Sequence, residues 1–235
     1  MSFAIEDGVD AMVEPSPDTS VSLNGELTTF EPVENVLQQL NVSAAVSLTA
    51  SVPVGYGFGA SGAATLATAL AANDAFDLER SREDLLEAAH RAEIEAGTGL
   101  GDVFIQDRGG LVWNTGDGPQ RAELSADLEY TALDGITTST VLDDEQTLER
   151  VRKCGRESLS RFSPKNSLRE LLDLSWEFVQ RSGLATDQVT KEVQRVERDG
   201  GAASMAMFGE TVIATGAQNF VERTTPVTNE GAHIC

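Results

Sequence analysis

The sequence predicts an α+β fold, and three observations predict it. Extended and helical patterns are mixed from the first residues without a regular βαβ alternation. Three amphipathic helical stretches then follow one another at about 144–161, 167–182 and 186–199, and the last of them leads into two short apolar strands. In chain order, residues 9 to 23 read as extended, with Val9, Met12, Val13, Val21 and Leu23 around a turn at Pro15-Ser16-Pro17-Asp18, so the opening is expected to be a hairpin. Residues 32–40 place Val33, Val36, Leu37 and Leu40 on one helical face, with proline in the first turn. Residues 42–54 alternate small and apolar side chains as a strand. After a glycine-rich turn, residues 60–72 form an alanine-rich helix with almost no polar face, which is expected to be buried.

Ser81, with Asp84 three residues on, caps a helix that runs toward Glu95 and ends near Gly97. Leu111-Val112-Trp113 and residues 129–142 read as strands. Gly200-Gly201 stops the last helix, and residues 202–208 and 210–215 are expected to pair around a turn at Gly209-Glu210. No internal repeat or low-complexity tract is present. The softest boundary lies near Asp143-Asp144, so two domains are expected, residues 1–142 and 143–235.

Charge narrows the partners. The chain of 235 residues carries 17 cationic and 38 acidic side chains, a formal charge of −21, and only three of the cations are lysines (Lys153, Lys165, Lys191). Such a surface stays hydrated where salt screens ordinary charge, which reads as adaptation to a high-salt cytosol. It repels phosphate backbones, so no nucleic-acid partner is expected. No apolar run approaches the roughly 20 residues of a membrane helix. The N-terminus lacks the basic flank and apolar stretch of a secretory signal, so a cytoplasmic location and no membrane partner are expected. Cys154, Cys235 and two histidines form no ligand-spaced set for zinc.

The strongest local signal is Pro53-Val54-Gly55-Tyr56-Gly57-Phe58-Gly59-Ala60-Ser61-Gly62-Ala63-Ala64, between a strand and a helix. Glycines there let backbone amides converge on an anion, and the helix that follows adds free N–H groups and its positive dipole end. Gly55, Gly57, Gly59, Ala60, Ser61, Gly62 and Ala63 are therefore the candidate nucleotide-binding residues. Ser61 can place its hydroxyl on a phosphate oxygen or on Mg²⁺. The segment is no P-loop, because Gly-Lys-Ser/Thr is missing, and no ribose-binding acid follows as in a dinucleotide fold. A tight strand-to-helix turn packed under a buried helix is the plain alternative.

A second constellation is Glu93-Ile94-Glu95-Ala96-Gly97-Thr98-Gly99-Leu100-Gly101-Asp102. Acids at a helix C-terminus oppose the helix dipole unless a cation compensates, and Mg²⁺ would do so. Asp102 opens an apolar segment and is alternatively the N-cap of a short helix. A third, residues 200–209, is rich in small side chains that let a ligand or another backbone approach, or is simply a buried sheet edge.

Together these residues resemble the GHMP small-molecule kinases, named for galactose, homoserine, mevalonate and phosphomevalonate. The family signature Pro-x-x-x-Gly-Leu-Gly-Ser-Ser-Ala-Ala is matched at Pro53, Gly57, Gly59, Ser61, Ala63 and Ala64, with Phe58 for leucine, Ala60 for the first serine and Gly62 inserted. The resemblance implies a ribosomal-S5-like N-terminal half and a ferredoxin-like C-terminal half. It implies ATP and Mg²⁺ as cofactors, Ser61 and Glu93 as metal contacts, and Asp102 as the catalytic group that orients or deprotonates the acceptor hydroxyl. Glu95 is the alternative to Glu93. Residues 200–209 fall at the family's C-terminal glycine-rich motif.

Segments 52–70, 97–103, 203–209 and 229–232 look most like the archaeal branch that phosphorylates (R)-pantoate, a step toward coenzyme A; ATP and pantoate are then the expected partners. Homoserine, mevalonate or shikimate as acceptor, or a silent nucleotide-binding fragment, are the other readings, and a homodimer is compatible with all of them. The family's opening strand and proline-glycine motif are not matched, so an N-terminally truncated chain is expected, weak in ATP binding and prone to association. Finally, Arg150, Arg152, Lys153, Arg156 and Arg161 concentrate cations within residues 150–161. They form either a solvated helix face paired with Glu149 and Glu157 or an anion contact. His90, on the 81–95 helix, is expected at the surface.

Overall fold

A computed structural model of the chain describes all residues except Leu100, Asp117, 136–144, 207–208 and 219–222. Helices and strands are mixed as expected for an α+β protein. Two compact units result, and neither is a sequence half.

One unit comprises Asp7–Val54, Gly59–Gly110 and Glu230–Cys235. Its sheet has the order β2-β5-β3-β4, from β2 (Val9–Pro15), β3 (Ser20–Leu23), β4 (Glu26–Thr28) and β5 (Ala44–Ala50). The expected hairpin of residues 9–23 is not formed. β5 lies between its two arms, antiparallel to β2 and parallel to β3. The hairpin that does form joins β3 to β4 through Asn24 (φ 51°) and Gly25 (φ 85°). Both residues of that two-residue loop need left-handed backbone, which asparagine and glycine tolerate best.

α1 (Glu31–Leu40) buries Pro32, Val33, Val36, Leu37 and Leu40, the face that its spacing predicts. α2 (Ala60–Ala75) buries residues around most of its circumference, including Thr65 and Thr68, which explains its missing polar face. α3 (Arg82–Glu95) begins at the expected capping box, in which the Ser81 hydroxyl accepts from the Asp84 amide and the Asp84 carboxylate accepts from Ser81. A short α4 (Asp102–Arg108) follows. The core joins Val36, Leu37, Val46, Leu48, Leu66, Ala69, Leu85, Ala89 and Val103, all at most 2% exposed.

The other unit comprises Met1–Glu6, Gly55–Phe58 and Leu111–Asn229. Its main sheet runs β11-β8-β10-β9, from β8 (Asp127–Gly135), β9 (Ala202–Met205), β10 (Gly209–Thr215) and β11 (Arg223–Pro226), all antiparallel. Numbered within this sheet, that is the 4-1-3-2 order of a ferredoxin-like half. α5 (Glu145–Arg161), α6 (Leu168–Ser182) and α7 (Asp187–Arg198) connect β8 to β9. Trp176 and Val179 of α6 and Val189, Val193 and Val196 of α7 bury against Ala203, Met205, Val212 and Ala214 of the sheet. Gly209 and Glu210 belong to β10 rather than to a turn, and Met207 and Phe208 lie outside the described residues. The C-terminal part of the strand expected over 129–142 also lies outside them.

A second sheet, β1-β6-β7, pairs β1 (Ser2–Phe3) with β6 (Leu111–Asn114), and β6 with β7 (Pro119–Ala122). This pairing, with an Ile5–Val227 bridge, ties the first six residues to late strands. The expected division at 142/143 falls among residues outside the description, and the spatial division interleaves the halves instead. No described helix is long and apolar enough to cross a membrane.

Candidate active site

The glycine segment after β5 ends in the N-terminus of α2. Gly59 is its N-cap, held in left-handed backbone at φ 70°, and no side chain caps the helix or places an acid in its first turn. The amides of Ala60, Ser61 and Gly62 have no intrahelical acceptor by helix geometry, so the terminus is open to an anion. The 16-residue helix behind it supplies the dipole.

Gly55–Phe58 pack within the other unit. The ring of Phe58 stands edge-on to Tyr130 at 4.9 Å, and the Tyr56 carbonyl accepts a hydrogen bond from the buried Thr211 hydroxyl at 2.7 Å. A methyl group on Gly209 would lie 2.0 Å from that carbonyl oxygen and 2.4 Å from the Gly57 nitrogen. Glycine at 209 is thus what lets β10 pack against the first half of the glycine-rich loop. Gly209→Ala is expected to push residues 55–58 out of place and to weaken nucleotide binding at least tenfold. Thr211→Val, which deletes one buried hydrogen bond and keeps the shape, is expected to weaken it less. Calorimetric titration with a non-hydrolysable nucleotide measures both, and unchanged affinity in Gly209→Ala would remove this support role.

Ser61, Thr65, Glu93 and Thr98 form one cluster. Ser61 Oγ donates to Glu93 Oε1 at 2.8 Å, and Thr98 Oγ1 donates to Glu93 Oε2 at 2.8 Å. Thr65 Oγ1 lies 2.8 Å from Oε1 and 2.9 Å from the Ser61 carbonyl, so its one proton is shared between two acceptors. Glu93 is 4% exposed and forms no ion pair among the described residues. A charge so placed is costly unless hydrogen-bonded or neutralised, and hydroxyls are its partners.

The cluster fits a divalent cation. Two cis oxygens on an octahedral Mg²⁺ with bonds of 2.0–2.1 Å stand about 2.9 Å apart, close to the 2.8 Å between Ser61 Oγ and Glu93 Oε1. A carboxylate offers about four lone-pair positions; Oε1 already accepts from Ser61 and Thr65, so a cation there would take the place of the Ser61 proton, while Oε2, which accepts only from Thr98, has a position to spare. Among the described residues no group of three or more His, Cys, Asp or Glu is arranged to hold a metal unaided. Mg²⁺ commonly takes one or two protein oxygens and completes its shell with phosphate and water. Glu95 is exposed and accepts from Gln39 Nε2 at 3.0 Å, away from the cluster.

Asp102 is the first residue of α4, after the N-cap Gly101 at φ 88°; it is not itself the cap. A methyl group on Gly59 would meet its Cβ and Cγ at 3.2 Å, so the carboxyl side chain rests on the end of the glycine-rich loop. Burial, and secondly the negative charge of Glu93, hold its pKa above the ordinary carboxylate value. A carboxylate so placed is a better proton acceptor than a solvated one.

His90 is half-buried rather than at the surface, its ring edge-on to Phe104 at 4.8 Å and its Nδ1 buried without a partner among the described residues. The cationic stretch on α5 splits up. Arg161 pairs with Glu177 of α6 at 2.6 Å, Arg150 bonds the Ser182 carbonyl, Glu157 pairs with Arg181, and Arg152, Lys153 and Arg156 are exposed. These pairs run between helices, whereas the sequence suggested pairs within α5.

Thr65 and Thr98 were missed from sequence. Thr65 stands at i+4 from Ser61, the spacing that puts two side chains on one helical face, and that signal could have found it.

The description GHMP kinases N terminal domain matches residues 29–110. The chain is 28% identical over 227 residues to pantoate kinase of Methanospirillum hungatei, covering 91% of this chain and 77% of the relative. It is 25% identical over 231 residues to pantoate kinase of Methanocaldococcus jannaschii, covering 94% and 84%. A solved structure described as a phosphotransferase related to the CoA biosynthesis pathway superposes with a TM-score of 0.78 at 21% identity, over 97% of this chain and 86% of that one. Over residues 29–110, which include the signature at Pro53–Ala64, the chain carries a GHMP kinase N-terminal domain, and its fold is that of the GHMP kinases.

Proposed function

We propose that the chain transfers the γ-phosphoryl group of ATP to the primary hydroxyl of (R)-pantoate, in a cytosolic step toward coenzyme A. The observation that carries this reading is the grouping of Ser61, Glu93 and Asp102 at the uncapped N-terminus of α2. Two pantoate kinases resemble this chain over nine-tenths of its length, which supports the choice of acceptor.

Phosphoryl transfer asks mainly for positioning and charge stabilisation. The amides of residues 60–62 and the Ser61 hydroxyl receive phosphate oxygens. Thr65 and Thr98 hold the Glu93 carboxylate in one orientation, with Ser61 on it, so the pair is aligned before any ligand arrives. Ser61 and Glu93 would hold Mg²⁺, which supplies neutralisation of the phosphate charge. Asp102 Oδ accepts the proton from the acceptor hydroxyl as the oxygen attacks.

The test is an acceptor panel of pantoate, homoserine, mevalonate and shikimate with ATP and Mg²⁺, following ADP release and the mass of the product. Pantoate is expected to exceed the others in kcat/KM by at least a hundredfold. Preference for another alcohol overturns the acceptor assignment, and nucleotide binding without transfer to any of them overturns the catalytic reading.

A further inference from the structure

We propose that Gln106 is a positioning residue that ties the helix bearing Asp102 to the phosphate loop, with the C-terminal segment Gly231–Ala232 bracing that tie from behind. The proposal rests on the phosphoryl-transfer reading above.

α4 is seven residues long, too short to hold itself by intrahelical bonds. Its orientation must come from what it touches. Gln106 stands four residues after Asp102 and so shares its helical face. Its Nε2 donates to the Gly59 carbonyl at 2.7 Å, the carbonyl of the α2 N-cap. The approach is tight at two glycines. A methyl group on Gly59 would meet Gln106 Nε2 at 3.0 Å, and one on Gly62 would meet Gln106 Oε1 at 3.1 Å and Val103 Cγ1 at 3.3 Å. The face that carries Asp102 therefore lies directly on the first turn of α2.

The main chain of the same residue is gripped from the other side. The Ala232 amide donates to the Gln106 carbonyl at 2.8 Å. Arg82 donates through Nη2 to the Ala232 carbonyl at 2.6 Å and through Nε to Asp107 Oδ1 at 2.7 Å. A methyl group on Gly231 would sit 2.0 Å from the Asp107 carbonyl oxygen, so the segment lies flat against the end of α4.

Stability alone does not account for glutamine at 106. Its Oε1 is buried with no hydrogen-bond partner among the described residues. An unpaired buried acceptor carries a desolvation cost that an apolar side chain of the same length would avoid. What glutamine supplies is the fixed distance between α4 and the Gly59 carbonyl, and so between Asp102 and the phosphate loop.

The test compares Gln106→Met, which keeps length and removes the tie, with Leu70→Ala, which opens a cavity in the same core away from the site. Gln106→Met is expected to lower kcat about 10–100-fold, the scale of an ångström-sized misplacement, with Tm unchanged or raised. The acid limb of its pH profile is expected to move to lower pH, because Asp102 loses part of its burial. Amides of α4 are expected to exchange faster with solvent. Leu70→Ala is expected to lower Tm and leave the acid limb in place.

A Gln106→Met protein with kcat within twofold of the unsubstituted chain and an unmoved acid limb overturns the proposal. If the unsubstituted chain leaves pantoate unphosphorylated, the acceptor assignment falls by itself. The exchange rates of α4 then decide the tie: faster in Gln106→Met supports it, unchanged rates overturn it.

Discussion

Asp102→Asn is expected to lower kcat by about 10²–10⁴-fold, the usual worth of a positioned general base, while nucleotide affinity stays within a few-fold. The amide keeps the shape that rests against Gly59 and cannot take a proton. The same substitution is expected to stabilise the fold at neutral pH. The folded-state pKa of Asp102 is raised, first by burial and then by Glu93, so folding favours the protonated form. Its contribution to stability is therefore fully present below the ordinary carboxylate range and is lost as pH rises through the folded value. Asparagine mimics the protonated form at every pH. Tm at pH 7 should rise by about 2–4 °C for each kcal/mol relieved in a chain of this size, and the difference should vanish in acid. In the unsubstituted enzyme, the acid limb of kcat should fall above the ordinary carboxylate range. Thermal scans at several pH values, with steady-state kinetics beside them, check both arms. Near-normal turnover removes Asp102 as the base, and lost nucleotide affinity assigns it to the phosphate site instead.

Local features were legible wherever a short-range rule sets them. The apolar spacing of 32–40, the capping box at Ser81 and Asp84, and the bare alanine helix after the glycine loop all appear where their patterns put them. Pairing was not legible, because a strand pattern says which residues are extended and nothing about which neighbour they take. Residues 9–15 and 20–23 are extended as read, yet β5 separates them, while the Asn24-Gly25 turn that does close a hairpin was a short-range signal passed over. The grouping of distant segments into units was not legible for the same reason. The partners of Ser2–Phe3 are Leu111 and Val112, over a hundred residues away. Within the site, Ser61, Glu93 and Asp102 stood out as residue types with a chemistry. Thr65, Thr98 and Gln106 did not, because hydroxyls and amides are common and only their distances give them a role.

Glu93→Gln is expected to abolish most of the Mg²⁺ enhancement of nucleotide binding, while Glu95→Gln leaves it intact. The two carboxylates are separated by one residue, and their surroundings set them apart. Glu93 is 4% exposed and receives hydroxyls from Ser61, Thr65 and Thr98, whereas Glu95 is exposed and bonded to Gln39. Glutamine is the informative replacement. Alanine would leave the Ser61 hydroxyl without its acceptor and Thr65 and Thr98 with only a backbone carbonyl each, at about 1–3 kcal/mol for a buried group left unpaired, and a fold defect would mask the metal effect. Glutamine keeps an oxygen for Ser61 and Thr65 and removes the charge, which no arginine or lysine balances in an ion pair among the described residues. Its Tm is therefore expected to match or exceed that of the parent. In titrations with and without chelator, the parent should bind nucleotide at least tenfold more tightly with Mg²⁺, and Glu93→Gln should bind equally in both. Ser61→Ala should lie between them, since the carboxylate remains but one of the two oxygens 2.8 Å apart is gone. Full Mg²⁺ enhancement in Glu93→Gln, or its loss in Glu95→Gln, would take the metal away from this cluster and leave Glu93 as a buried acceptor that only orders the N-terminal turn of α2.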